Sequence, residues 1–171
     1  MADAVGRALL RRGGAGVVAG LAVLAGCAAP AVPDVPPIQA PRDVRGADPC
    51  ALVDDAALAT AGVRAPGTPG TGPEGPRCEW TGGPGRTLVL TLFTGDGGLG
   101  TLARNSESTT TRVRLDGYPA LETFTGAGEF CQYDVGIDTD QVLLVALDGG
   151  EPDSCTALQS LLPPVLSRLP G

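Results

Sequence analysis

Histidine and lysine are absent from this 171-residue chain, and the two absences remove much familiar catalytic machinery. Without His there is no Ser-His-Asp or Cys-His site, because the nucleophile has no imidazole to take its proton. Without Lys there is no Schiff-base amine and no Ser-Lys dyad. All twelve basic residues are Arg, set against nineteen acids for a formal net charge of −7. Such an acidic balance argues against nucleic acid, whose phosphates call for basic surfaces. Aromatics are also scarce, with one Trp, two Tyr and three Phe, so a core has to be built from Leu, Val and Ala.

Gly and Pro are plentiful, together about a quarter of the chain, but unevenly spread, which marks linkers and turns rather than disorder throughout. The N-terminal stretch MADAVGRALLRRGG carries Arg7, Arg11 and Arg12, and residues 15–25, AGVVAGLAVLA, are uncharged and mostly apolar. That run is too short to span a bilayer, which needs about 20 residues. A basic head, a short apolar middle and small residues after it describe a signal peptide over residues 1–26. It ends in Leu24-Ala25-Gly26-Cys27, which resembles the bacterial lipobox. That resemblance implies cleavage between Gly26 and Cys27 and a diacylglyceryl group on the Cys27 sulfur. Two acyl chains hold a protein stably on a membrane where one does so only marginally. Arg11-Arg12 raise twin-arginine export, but Gly13-Gly14 follow them, and the ordinary secretory route is preferred. Cleavage would leave nine Arg against eighteen acids.

Residues 27–47 then read as the lipidated Cys and a Pro-rich tether. Such a segment favours polyproline II, and its length could hold a domain roughly 60 Å from the membrane at about 3.1 Å per residue. The single domain is expected over 48–171. Asp48 is a candidate N-cap with Pro49 at the first helical position, and Leu52, Val53, Ala56 and Ala59 form an apolar stripe ending at Gly62. Residues 62–77 read as a Gly/Pro/Thr loop, in which Thr68 and Thr71 are candidate O-glycosylation points. Strands are expected over 77–81, 86–94, 109–115, 119–125, 130–137 and 141–147, with a short helix over 98–107. Leu88, Leu90 and Leu92 share one face, and Asp116-Gly117 is a hairpin turn pair. Ser154 is expected to cap a last helix with Ala157, Leu158, Leu161 and Leu162 inward, broken or kinked at Pro163-Pro164. Hairpin-length connections imply an antiparallel sheet of five to six strands. The fold class is therefore α+β, with N- and C-terminal helices on one face.

With Cys27 lipidated, Cys50, Cys78, Cys131 and Cys155 remain, an even number that in an exported protein reads as two disulfides. A metal site is a poor alternative, since there is no C-x-x-C and no His. The preferred pairing is Cys50–Cys78 with Cys131–Cys155, each tying a helix start to the strand nearest in sequence. Cys50–Cys155 with Cys78–Cys131 stays open.

A lipobox, a Pro-rich tether, DPCAL, C-x-W on a first strand, GYPA after a hairpin, C-x-Y on a late strand and D-S-C-x-A-L opening a last helix occur here in that order. Together they resemble a family of small actinobacterial cell-envelope lipoproteins classed as a domain of unknown function, over roughly residues 24–169. The resemblance implies an envelope location and no established activity. It offers no catalytic residue and no cofactor. A looser likeness, on cysteine pattern alone, is to the disulfide-bonded outer sensor domains of mycobacterial receptor kinases.

Three features invite chemistry. Gly95-Asp96-Gly97-Gly98-Leu99-Gly100 has the G-x-G-x-x-G spacing of a dinucleotide loop, with Asp116 downstream. The surrounding strands connect by hairpins rather than as a βαβ unit, so the glycines are read as a strand-to-helix turn. Carboxylate pairs occur at Asp54-Asp55, Asp138/Asp140 and Glu151/Asp153. Helix first turns and a hairpin turn explain these positions. A Ca²⁺ site at Asp134, Asp138 and Asp140 would lack the EF-hand spacing. The sequence therefore predicts a lipid-anchored protein on the extracytoplasmic face of the cell membrane that binds a small ligand or an envelope protein and is not an enzyme, without metal or cofactor. The alternative is a cell-wall hydrolase using a carboxylate pair.

Overall fold

A computed structural model describes residues 35–106, 109–126, 129–149 and 153–171. The signal peptide, Gly26, Cys27 and Glu151 lie outside the described residues. A short 3-10 helix (Pro49–Leu52) and α1 (Asp55–Thr60) come first, followed by β1 (Thr68–Gly72), β2 (Gly75–Thr81) and β3 (Thr87–Thr94). Then come α2 (Gly98–Asn105), β4 (Thr110–Leu115), β5 (Tyr118–Thr125), β6 (Phe130–Gly136), β7 (Gln141–Asp148) and α3 (Ser154–Ser167). The strands form one antiparallel sheet in the order β1-β2-β3-β7-β6-β5-β4.

Strand alternation sorts the sheet into two faces. Leu88, Leu90 and Leu92 of β3, Leu143, Val145 and Leu147 of β7, and Tyr133 and Val135 of β6 enter the main core with Trp80. Leu158, Leu161, Leu162 and Val165 of α3 and Leu58 of α1 cover them. Burial of each such Leu contributes about 1.5–3 kcal/mol. Thus α1 and α3 share one face, as the sequence predicts. On the opposite face Leu99 of α2 meets Leu121 and Val142 in a second, smaller cluster. Arg86 braces the main-core side, donating from Nε to Ala61 O (2.6 Å) and from Nη1 to Gly149 O (2.7 Å).

The structure departs from the sequence expectation at five places. The sheet has seven strands, because β1 lies in the expected loop over 62–77 and pairs with β2 across the Pro73-Glu74 turn. No alternation marks it, since four of its five residues are exposed and only its backbone holds it. The expected helix over 48–62 is two pieces. Val53 and Asp54 are extended, and the Asp54 side chain caps α1 by accepting from Ala57 N. The break shifts the helical phase, so Ala57 and Leu58 are buried and Ala56 and Ala59 are not. Asp153, not Ser154, caps α3, accepting from Cys155 N (2.9 Å). Ser154 is fully buried and donates its hydroxyl to Glu129 O. Pro163 and Pro164 sit inside α3 without ending it. The carbonyls that lose a partner belong to Gln159 and Ser160, both exposed. Finally, residues 35–47 lie against the domain as a strap instead of standing off from it.

Candidate ligand cleft

Three of the strap's residues, Pro36, Pro37 and Pro41, have no backbone N–H, and two of the remaining N–H groups tie it to the domain. Arg42 N donates to Ile137 O (3.0 Å), and Val44 N donates to Gln141 Oε1 (2.8 Å) beneath a Val44 side chain only 1 % exposed. Tyr118 OH donates to Ala40 O (2.8 Å), and Arg45 pairs with Asp140 (2.6 Å).

Opposite the strap stands the start of α2. Gly97 is left-handed (φ 81°), as is Gly98 (φ 44°), where a Cβ would lie 2.6 Å from Thr139 O. Gly95 N donates to Asp140 O (3.0 Å). The G-x-G-x-x-G segment is therefore a turn folded onto the Asp138–Asp140 hairpin, and α2 leads to β4 at the far edge of an antiparallel sheet. Asp116 (φ 48°) and Gly117 (φ 86°) form the β4–β5 turn with both residues left-handed, as a type I′ hairpin requires.

Between strap and α2 lies a cleft of about 580 Å³, walled by Pro37, Ile38 and Pro41 on the strap and by Gly97, Gly100 and Thr139. A second cleft of about 290 Å³ adjoins it over the β4–β5 edge, floored by Ala103, Pro119 and Leu121. Val35, Pro36 and Leu99 line both. These volumes fall near the range of small-molecule pockets, about 300–1,000 Å³. Arg112 and Arg114 stand at the smaller cleft, on one face of β4 because they are two residues apart. Arg114 donates to Gly117 O (2.8 Å). Among the described residues the Arg112 side chain has no hydrogen-bond or ion-pair partner.

The acids singled out in the sequence are dispersed in structural roles. Asp54 caps α1 and pairs with Arg168. Its carboxyl is held below the usual range, first by the Ala57 N–H and then by Arg168. Asp55 is exposed in the first turn of α1, and Asp138 accepts from Thr139 N within its turn. Asp134 lies on the other face from the main core, 7 % exposed, accepting from Gln132 Nε2 (2.6 Å). Burial pushes its carboxyl up to about 6 against the opposing Gln132 hydrogen bond, and Glu74 adds to the rise. Among the described residues, no group of three or more His, Cys, Asp or Glu is placed to hold a metal ion. The three Asp of the notional Ca²⁺ site do not converge.

Both disulfides form with the preferred pairing. Cys50–Cys78 and Cys131–Cys155 have Cα–Cα distances of 5.1 and 5.2 Å, within ordinary disulfide geometry.

A protein-family model described as "Protein of unknown function (DUF3558)" matches residues 22–167. The chain belongs to the DUF3558 family. The match spans the strap, the sheet and all of α3, so the residues lining the cleft lie within the part of the chain that matches the DUF3558 family. No curated protein and no solved structure matches it.

Sequence reading expects a ligand between the sheet and the helices or at an exposed edge strand, which is the neighbourhood of the cleft but not its residues. It missed one polar cluster, in which Tyr133 OH donates to Glu122 Oε2 (2.7 Å) and accepts from Gln159 Nε2 (2.9 Å). Burial and the Glu122 hydrogen bond push the Tyr133 hydroxyl up, so it stays a donor. One signal for the cleft was present. The alternation R-V-R in β4 puts two Arg on a single face of an edge strand.

Proposed function

We propose that this protein is an exported, lipid-anchored binding module of the cell envelope that does no chemistry of its own, with its ligand or partner seated in the cleft beneath the strap. The observation that carries this reading is the cleft itself, with apolar walls, two Arg at one end and no facing pair of acids among its lining residues. Export is supported by the Leu24–Cys27 sequence and by four cysteines spent in two disulfides, which persist in oxidising compartments. Among the described residues no helix is long and apolar enough to cross a membrane, and the lipobox resemblance at Leu24–Cys27 is what assigns attachment to Cys27. No observation favours the hydrolase alternative, since Asp54, Asp138 and Asp153 each hold a helix end or turn in place.

Fractionation of bacteria making the full chain should place it with membranes, with Cys27 carrying the mass of a diacylglyceryl group. Equal membrane attachment of Cys27→Ala would overturn the anchor. For the cleft, native mass spectrometry of protein purified from its own envelope should show a bound molecule or partner that Ala103→Phe loses while keeping the wild-type circular dichroism. Equal occupancy of both proteins would remove the cleft from the function.

A further inference from the structure

We propose that the smaller cleft takes the acyl chain of a single-chain carboxylate amphiphile, with Arg112 and Arg114 holding the carboxylate at its mouth. The inference rests on the binding-module reading and adds a ligand class to it. Leu99, Ala103, Pro119 and Leu121 offer an apolar bed, which suits a hydrocarbon chain and leaves a polar ligand's groups unpaired. The mouth has the opposite character. Two cations on one face of β4 stand out in a chain with nineteen acids and net charge −7. Two arginines elsewhere are held by acids, Arg45 by Asp43 and Asp140 and Arg168 by Asp54, and among the described residues no such acid pairs with the two on β4. Arg112, exposed and without such a partner among the described residues, has all its donors available for an anion. The planar guanidinium matches a carboxylate in bidentate geometry.

The strap supplies the second argument, because it limits where such a ligand comes from. Val35 lines the cleft, and the chain from Cys27 to Val35 reaches at most about 28 Å when fully extended. A protein anchored through Cys27 therefore keeps this mouth close to the bilayer, where amphiphiles reside.

The test is titration of the purified soluble chain from residue 28 onward with dodecanoate, below its micelle threshold, beside dodecanol and dodecyl phosphate. Dodecanoate should bind saturably at one site and shift the methyl resonances of Leu99 and Leu121. Dodecanol should bind about five- to tenfold more weakly, the range set by a charge-assisted contact at a partly exposed site. Arg112→Ala, an exposed position, should weaken dodecanoate toward the dodecanol level, with Arg114 keeping part of the difference, and leave dodecanol unchanged. Equal binding of acid and alcohol, with no effect of Arg112→Ala, would overturn the carboxylate assignment while leaving the cleft as a binding site. Dodecyl phosphate binding more than tenfold tighter than dodecanoate would overturn it in favour of a phosphate headgroup. Saturable binding by none of the three would overturn the amphiphile altogether, and the binding-module reading would then stand or fall on the molecule captured from the envelope.

Discussion

Asp134 is the one carboxyl among the described residues that burial raises above its ordinary range. Its carboxyl is raised to about 6, chiefly by burial, whereas an unfolded-chain Asp titrates near 3.8. Between about pH 4 and 6 the folded protein holds a proton there that the unfolded chain has released. Stability contributed by this group is therefore present at the acidic end of the window and lost as pH rises through it. The shift corresponds to about 2–3 kcal/mol at most. Asp54 acts in the opposite sense and lower down. Its carboxyl is held below 3.8 by the Ala57 N–H and Arg168, so its contribution is lost only in stronger acid. Asp134→Asn keeps an oxygen for the Gln132 hydrogen bond and removes the charge. Urea denaturation across pH 4 to 7 should show wild type losing stability toward neutrality, with Asp134→Asn flatter and more stable at pH 7. An unchanged profile in the variant would show that the buried carboxyl is not the cause. Its burial depends on neighbours along two other strands, Leu121 and Leu144 in register with it, and no local pattern in FCQYDVG announces that depth.

The strap is the element whose behaviour differs most from its composition. Prolines make it extended, as the sequence predicts, but extension alone would leave it in solvent. It docks because Val44 fills a core position and because its N–H finds Gln141 Oε1, a side chain that is fully buried. Gln141→Leu deletes the acceptor and strands a buried N–H, at a cost of about 1–3 kcal/mol. Hydrogen exchange at Val44 should then quicken by about tenfold or more, while amides in β3 and β7 change less. Equal acceleration throughout the sheet would show that the strap has no opening of its own. The helical elements teach a related lesson. Asp54 is a good cap wherever it stands, and in DPCALVDDAALAT it starts a new helix where apolar periodicity alone would continue the old one. In α3 the two prolines survive because seven residues of the helix are buried and hold it in place across the lost bonds.

As a whole, the domain is a seven-stranded sheet with its heavier cover on one face, stapled at both ends of the sequence. Each disulfide links a residue at the start of a helical segment to a strand inside the core, closing loops of 28 and 24 residues. On the chain-entropy account each contributes about 3.5 kcal/mol. Together they match a large part of the 5–15 kcal/mol by which domains of this size are stable. Reduction under native conditions should therefore lower the urea midpoint sharply, and the Cys131→Ala/Cys155→Ala double variant should lose about half of that effect. A midpoint indifferent to reductant would mean that the apolar core suffices alone. With few aromatics, that core rests on Leu and Val around Trp80 and Tyr133, which makes the staples worth more here.

The sequence by itself determined what local geometry governs. A two-residue period put Leu88, Leu90 and Leu92 on one face, Asp116-Gly117 fixed a hairpin, and an even set of cysteines after Cys27 indicated two bridges. These depend on a few neighbouring residues and on backbone stereochemistry that every chain shares. Tertiary structure decided what depends on distant partners. Val44 meets a side chain 97 positions away, Arg42 meets Tyr118 at 76, and β1 is a strand only because β2 pairs with it. The cleft belongs to this second kind. Its walls come from the strap, α2 and the β4–β5 edge, and such a surface exists only once the sheet has brought those three segments together.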